Sequence, residues 1–239
     1  MGFSLFRRER ASGASARDRL GSLRKALDEA GIDYSPANPL AALTQLPLSD
    51  APTIVQPAPS QPFESPLSGP LRAAIFTPIF LPLSEVATPD LLVLPLNAAL
   101  ELTLGSAATV SAVVVVTSVA DAPLADHHRD LLWRSLGLPV FEQLTAWDGT
   151  VIARECEIHD GLHVAPEAIA EVEGGELILT QLKAEGAVLR ARTGVAAEIT
   201  STLCECGKET PRLKNLSVLA SKPNARQVHA ASRSTPLQG

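Results

Sequence analysis

The stretch TVSAVVVVTSV at residues 109–119 decides how this sequence folds, because it holds the longest aliphatic run of the chain, Ala112 to Val116. Its residues are largely β-branched and apolar on both faces, which is typical of a strand buried inside a parallel sheet. Such a strand needs a covering layer on each side. The pattern therefore predicts an α/β arrangement around it.

The segment that follows, DAPLADHHRDLLWRSLG at residues 121–137, predicts a helix. Its proline stands early, where a missing N–H costs nothing, and Gly137 is placed to end the helix. A second strand is predicted at residues 140–144, so that strand, helix and strand form a βαβ-like unit within an α/β layer at residues 71–149. The side of the helix that faces the sheet is expected to carry Leu124, Leu131, Leu132 and Leu136.

Prolines divide the chain before this layer. Residues 50–70 contain many prolines and few charges, which predicts a linker with polyproline character. Residues 1–49 are predicted to form an N-terminal arm with a short amphipathic helix at residues 17–31. The apolar stripe of that helix is Leu20, Leu23, Leu27 and Ala30.

The sequence after residue 150 changes to short strands and turns. Asp160-Gly161 and Gly174-Gly175 are turn signals, and the segments between such turns alternate in polarity. We therefore predict a β-rich subdomain at residues 150–214 and a flexible tail at residues 215–239. The predicted strands are residues 176–182, 187–192 and 196–202.

Composition and charge exclude several functional classes. The 239 residues carry 20 Lys and Arg against 26 Asp and Glu, a net charge of −6. This balance argues against a nucleic-acid binder, since such domains are usually basic. No apolar run reaches the roughly 18 residues of a membrane helix, so no membrane partner is expected. The three cysteines are too few for a disulfide framework and indicate a reducing compartment, which predicts a cytoplasmic protein.

All three cysteines lie near a histidine in the β-rich region. Cys156, His163, Cys204 and Cys206 supply three thiolates and one imidazole, the ligand types that a tetrahedral zinc ion prefers. Gly207 lets the backbone turn tightly after the second cysteine of the pair. A shell of four protein ligands leaves no position for water, so this zinc is predicted to be structural.

Other interpretations of these residues stay open. The three cysteines are alternatively small buried thiols near a turn, and His159 is a competing imidazole. Asp126, His127 and His128 stand together at a helix start, where solvated side chains are the simpler interpretation. A nucleophilic cysteine is disfavoured because the neighbouring residues are acidic, and no phosphate-binding glycine loop occurs.

Four strings, in this order, resemble the phenylacetate-CoA ligase family of adenylate-forming enzymes. The family patterns are approximately EC-x-x-x-DGLH, GELVLT, RYRTGD and C-x-CG-x-T-x-PR. The resemblance implies that this chain is a remnant of the large N-terminal domain of such an enzyme. The matching strings are ARECEIHDGLHV at 153–164, GELILT at 175–180, RARTG at 190–194 and CECGKETPRL at 204–213.

Departures from the family pattern fall on the residues that bind ATP. Ala146 stands where the family has a glutamate that helps hold magnesium, and Val195 stands where it has a ribose-binding aspartate. The ATP loop and the catalytic lysine have no counterpart. We therefore expect no catalytic residues and no ATP or CoA, since adenylation needs preorganised charge for the triphosphate.

Two functional hypotheses follow from the resemblance. The first is a non-catalytic, zinc-stabilised scaffold that binds a protein partner or a small acyl ligand. The alternative is an aryl- or acyl-CoA ligase that a second polypeptide completes by supplying the nucleotide loop and the lysine. A zinc-knuckle protein that binds nucleic acid is disfavoured by the acidic charge.

Overall fold

A computed structural model describes residues 12–52, 73–75, 90–102, 110–182 and 187–219 of the chain. Most of the predicted linker and the end of the predicted tail lie outside these ranges. The helices are α1 (Ser12–Glu29), α2 (Pro39–Leu43), α3 (Leu96–Glu101) and α4 (Asp126–Leu136). None of these four described helices has the length and apolarity that would let it cross a membrane.

The ten strands of the described residues form one sheet in the order β1-β2-β3-β4-β5-β6-β10-β9-β8-β7. Neighbours from β1 to β4 are parallel, and every pairing from β4 onward is antiparallel. The mixed α/β class predicted from the sequence is confirmed. The strands are β1 (Ala73–Ile75), β2 (Leu91–Pro95), β3 (Ala112–Ser118), β4 (Val140–Thr145), β5 (Val151–Glu155), β6 (Leu162–Val164), β7 (Ala168–Glu173), β8 (Glu176–Gln181), β9 (Val188–Thr200) and β10 (Arg212–Val218).

The βαβ unit forms around β3, as the aliphatic run predicts. Helix α4 begins at Asp126, five residues after the start of the predicted segment, and Gly137 ends it in a left-handed conformation with φ of 66°. Leu124 and Leu132 are buried against β3 and β4. The prediction for Leu131 is wrong, because its side chain is 53% exposed. One residue along a helix is a turn of about 100°, which places Leu131 beside the buried stripe.

The β-rich half is more continuous than the sequence predicts. The segments at 187–192 and 196–202 form the single strand β9, which passes through Gly194 at φ of 72°. The N–H of Gly194 donates to Glu176 Oε1 at 2.9 Å, so β8 and β9 stay joined where their register shifts. Strand β10 continues to Val218, and the first residues of the predicted tail therefore lie in the sheet.

The N-terminal arm packs on the far end of this sheet. Helix α1 starts earlier than predicted, and two leucines of its stripe, Leu23 and Leu27, are fully buried. They form a cluster with Leu43 of α2 and with Ile169 and Leu182 from the region of β7 and β8. Ala30 is exposed, so its place in the apolar stripe is a wrong prediction, because α1 ends before it at Glu29.

Candidate metal centre

The four residues predicted as metal ligands meet at one point of the sheet. Cys156 directly follows β5, His163 lies in β6, and Cys204 and Cys206 lie in the loop between β9 and β10. Strand β6 pairs with both β5 and β10, which brings the three segments side by side. The ligand atoms of the four residues all lie within 4.8 Å of one another, so the cluster can bind a metal ion.

Gly207 shapes the loop that carries the cysteine pair. Its φ of 84° is in the left-handed region, and its N–H donates to the carbonyl oxygen of Cys204 at 2.8 Å. The tight turn expected at this glycine is confirmed. Because the turn folds the chain back on itself, Cys204 and Cys206 point into one cluster although a single residue separates them.

The imidazole of His163 is held in a fixed orientation. Its Nδ1 lies 2.9 Å from Thr210 Oγ1, and its Nε2 lies 3.4 Å from the Cys206 sulfur. The sulfurs of Cys156 and Cys204 are 3.8 Å apart. A hydrogen bond at one ring nitrogen sets the direction of the other, so Nε2 is the nitrogen available to a cation.

Burial and hydrogen bonds together shift the pKa values of the cluster. Burial raises the pKa of the Cys156 thiol to about 12. It lowers the pKa of His163 to about 4, with the positive charges of Lys208 and Arg212 adding to the effect. Burial also acts to raise the pKa of Cys204, but hydrogen bonds from the Cys206 backbone and from the neighbouring thiols outweigh it and lower that pKa. A neutral imidazole is the form that binds metals, and a coordinating thiol loses its proton outright.

A buried arginine ties the two ligand loops together. Arg212 is 2% exposed and donates to the Asp160 carbonyl at 2.9 Å and to Thr202 Oγ1 at 2.9 Å. It also pairs with the Asp160 carboxylate. Lys214 and Arg212 hold the pKa of Asp160 below its ordinary value. Sequence reasoning assigned Arg212 no role, because its partners are distant in the chain and no local pattern connects them.

The competing imidazole lies outside the cluster. His159 stacks on Phe141 with ring centroids 4.5 Å apart, and its Nδ1 is 3.0 Å from Glu155 Oε1. The rings of His127 and His128 contact each other, with their centroids 3.9 Å apart. In the described ranges, Cys156, His163, Cys204 and Cys206 form the only group of three or more potential ligands close enough to share a metal ion.

A second polar cluster, which the sequence did not indicate, lines a groove of about 980 Å³ beside α4. Glu142 is buried, and its Oε1 accepts hydrogen bonds from Thr117 Oγ1 at 2.6 Å and from Leu124 N at 2.8 Å. Glu155 Oε2 accepts from Arg129 Nη1 at 3.0 Å and from the Glu142 N–H at 2.8 Å. Burial raises the pKa of Glu142 despite these bonds.

The two positions that depart from the family pattern are part of the hydrophobic core. Ala146 and Val195 are each 1% exposed, and both belong to the cluster that fills the β-rich half of the sheet. Neither position presents a polar atom of its side chain to a ligand.

Comparison with known proteins finds similarity to part of the structure of one enzyme. No protein-family model matches the chain, and no curated protein sequence matches it. Solved structures similar to it include those of a CoA ligase. An open conformation of 2-hydroxyisobutyryl-CoA ligase in complex with 2-HIB-AMP and CoA matches at 14% identity with a TM-score of 0.43, over 53% of this chain and 32% of the ligase.

The same ligase in the postadenylation state, in complex with R3-HIB-AMP, matches at 14% identity with a TM-score of 0.44, over 53% of this chain and 31% of the ligase. The matched region therefore spans about a third of that enzyme's length. At this identity and these TM-scores, the likeness concerns the fold alone and carries no argument about activity or ligands.

Proposed function

We propose that this chain is a non-catalytic scaffold of phenylacetate-CoA ligase type whose β-rich half is held together by a structural zinc ion. Cys156, His163, Cys204 and Cys206 are the proposed ligands. The observation that carries the proposal is the convergence of these four ligand atoms within 4.8 Å of one another. Three unpaired cysteines fit a reducing compartment, so we place the protein in the cytoplasm.

The spacing of the ligand atoms supports zinc as the ion. A tetrahedral zinc with Zn–S near 2.3 Å and Zn–N near 2.0 Å separates two sulfurs by about 3.8 Å, and a sulfur and a nitrogen by about 3.5 Å. The Cys156 and Cys204 sulfurs are 3.8 Å apart, and Cys206 Sγ and His163 Nε2 are 3.4 Å apart. Two of the six distances in the cluster thus match a tetrahedral shell, and all six are within 4.8 Å.

The donor set also supports a structural role for the ion. Four protein ligands leave no open position for water or substrate, so the ion supplies folding energy and takes no part in a reaction. Three thiolates and one divalent cation leave one negative charge in a buried site. The guanidinium of Arg212, which lowers the pKa of Cys204, is placed to offset that charge.

The proposed lack of adenylation chemistry rests on Ala146 and Val195. Adenylation requires a cation to neutralise triphosphate charge and an anchor for the ribose, and each such electrostatic contribution is worth several kcal/mol. An apolar side chain at both positions, buried in the core, supplies neither. The fold and the zinc site then remain after the chemistry has gone, in keeping with the rule that function depends on sites and not on folds.

The groove beside α4 supports a protein partner over a small acyl ligand. Its lining includes five carboxylates. Three of them are paired with Arg129, Arg212 or Lys214, so the exposed Asp126 and Asp130 supply the net negative charge. A free carboxylic acid would be repelled by this set, whereas a basic peptide segment would be attracted. The half-exposed ring of Trp133 at the groove gives such a segment an apolar surface. The carboxylates are Asp126, Asp130, Glu142, Glu155 and Asp160.

Two assays on zinc-loaded, full-length protein test the lack of ligase activity. The first is calorimetry with ATP and magnesium, and the second is release of pyrophosphate in the presence of aryl and acyl acids. We expect no saturable heat and no pyrophosphate. Acyl-AMP formation by the purified chain would overturn the proposal. Activity that arises only when a co-purifying polypeptide is added would instead support a ligase assembled from two chains.

A further inference from the structure

We infer that the metal centre is also an oxidation site, at which hydrogen peroxide converts Cys206 and Cys156 into a disulfide. The release of zinc that accompanies this step rests on the proposed zinc site. The choice of Cys206 and Cys156 depends on the exposure and positions of the sulfurs and on the thiolate form that a bound metal gives them. Three thiols and one imidazole share the site, and they differ in exposure and in the segment that carries them.

The exposure of the three thiols identifies the sulfur that peroxide attacks first. Cys156 and Cys204 are 3% and 2% exposed, whereas Cys206 is only partly buried. Oxidation of cysteine follows thiolate character and access. Bound to a metal, all three are thiolates, so access decides among them. Cys206 is therefore the entry point for the oxidant.

The position of the remaining thiols identifies the one that closes the disulfide. Cys204 and Cys206 share one tight turn, and a bond between them would close a very small ring. Cys156 belongs to the other loop, and its sulfur lies within 4.8 Å of that of Cys206. A bond forms at about 2.05 Å, so one sulfur must move by a few ångströms at most. Both residues lie outside the paired strands, where the backbone can follow.

The chemistry balances with peroxide as the only co-reactant. The Cys206 thiolate attacks one peroxide oxygen, the O–O bond breaks, and a sulfenic acid and hydroxide form. The Cys156 thiolate then attacks the Cys206 sulfur, and a second hydroxide leaves as the S–S bond forms. Two electrons pass from the two sulfurs to peroxide, and protonation of both hydroxides gives water.

Loss of two ligands has a direct consequence for the metal. After the disulfide forms, Cys204 and His163 are the ligands left, and two ligands do not make a structural zinc shell. His163 stays in place, because it lies in β6 and its ring is held by Thr210. The new covalent bond joins the same two loops that the metal joined. Oxidation would thus replace one cross-link by another.

The test treats zinc-loaded, full-length protein with hydrogen peroxide. Mass spectrometry of a digest with trypsin and a glutamate-specific protease, which cuts after Glu205 and so separates Cys204 from Cys206, follows the disulfide. A chromogenic chelator follows zinc. We expect the peptide of Cys156 to be linked to Cys206, with one zinc ion released for each disulfide. In Cys156→Ser the sulfenic acid on Cys206 cannot form a disulfide with residue 156 and should accumulate. Dimedone, which reacts with sulfenic acids, should therefore label Cys206 several-fold more than in the wild type.

The outcomes separate the inference from the proposed function. Oxidation of Cys206 to a sulfinic acid without a disulfide, or a Cys156–Cys204 bond that leaves Cys206 reduced, would overturn the inference and leave the zinc site intact. Protein that carries no zinc but forms the Cys156–Cys206 disulfide would overturn the zinc site alone. The wild-type digest decides the point even if the variant fails to fold.

Discussion

Two buried polar clusters lie side by side on this sheet, and they are built in different ways. In the groove cluster, Glu142, Glu155 and Arg129 form hydrogen bonds of 2.6–3.0 Å with one another, with Thr117 and with the backbone. In the metal cluster, the sulfur contacts are 3.4 and 3.8 Å long, and a thiol is a weak donor and acceptor.

The difference shows which cluster has its buried polar atoms satisfied without a bound ion. Buried charges are tolerated when hydrogen bonds and opposite charges satisfy them, and the groove cluster meets that condition. Three thiols and an imidazole, with closest contacts of 3.4 and 3.8 Å, satisfy one another poorly, but they are the ligand types that a divalent zinc ion prefers. We therefore expect metal to govern the stability of one cluster and ion pairing that of the other.

Replacing a metal ligand should have the largest effect. Cys204→Ser removes one thiolate from the proposed shell, so we expect loss of bound zinc and a fall of at least about 3 kcal/mol in the free energy of unfolding. Metal analysis and denaturant unfolding measure the two quantities. Glu205→Gln, between the two cysteines and exposed, is the matched control and should change neither. Wild-type zinc content in Cys204→Ser would refute the site.

Removing the cation of the groove cluster should have the next largest effect. Arg129→Met leaves Glu142 and Glu155 close together with only the imidazole of His159 beside Glu155, so we expect a loss of about 2 to 3 kcal/mol in unfolding free energy with zinc content unchanged. The control is Arg134→Met on the exposed side of α4, expected to cost under about 0.5 kcal/mol. Equal effects of the two variants would contradict the described network.

The loop between the clusters can be tested at Gly161. A Cβ there would lie 2.6 Å from the Leu213 carbonyl oxygen, and the residue has φ of 91°. Gly161→Ala should therefore cost about 2 kcal/mol and weaken zinc binding, because the loop must move away from β10. Gly174→Ala, at φ of 61° with open space, should cost only about 1 kcal/mol and leave zinc unaffected. Equal costs would argue against the close approach.

The smallest effect expected is a change in pH dependence. Burial raises the pKa of Glu142 in the folded chain, so the folded state binds this proton more tightly than the unfolded state. Its contribution to stability is fully present below the unfolded pKa and is lost as pH rises through the folded pKa. Glu142→Gln keeps the acceptor for Thr117 and lacks this titration.

Unfolding free energies of Glu142→Gln and wild type, compared from about pH 4 to about pH 8, test this shift. The difference should move in favour of the variant as pH rises. A difference that is constant, or that moves in favour of the wild type, would show that Arg129 and the hydrogen bonds outweigh the cost of burial.

The sequence predicts the features that depend on residue type and on the spacing of apolar residues along the chain. The aliphatic run from Ala112 to Val116 predicts a buried strand because it is apolar on both faces, and β3 confirms it. The gathering of Cys156, His163, Cys204 and Cys206 was expected because the chain holds few soft ligands and all lie in one region. That they bind zinc stays a prediction.

What the sequence does not predict depends on contacts between distant segments. Arg212 joins Asp160 and Thr202, which lie 52 and 10 residues away, and no motif signals that pairing. The groove cluster joins residues from β4, β5 and α4 in the same way. The sequence predicts separate strands at residues 187–192 and 196–202, whereas β9 runs through Gly194 as one strand because β8 pairs with it on both sides of that residue.

The measurement that tests the structural metal centre most directly is thermal unfolding of the wild-type chain with and without chelator, alongside its metal content. We predict one zinc ion per chain as purified and a melting temperature that falls by roughly 10 °C or more on chelation, given that about 1 kcal/mol shifts a domain of this size by 2 to 4 °C. Adding zinc back should restore the original melting temperature. Protein that is free of metal and melts at the same temperature with chelator would contradict the account.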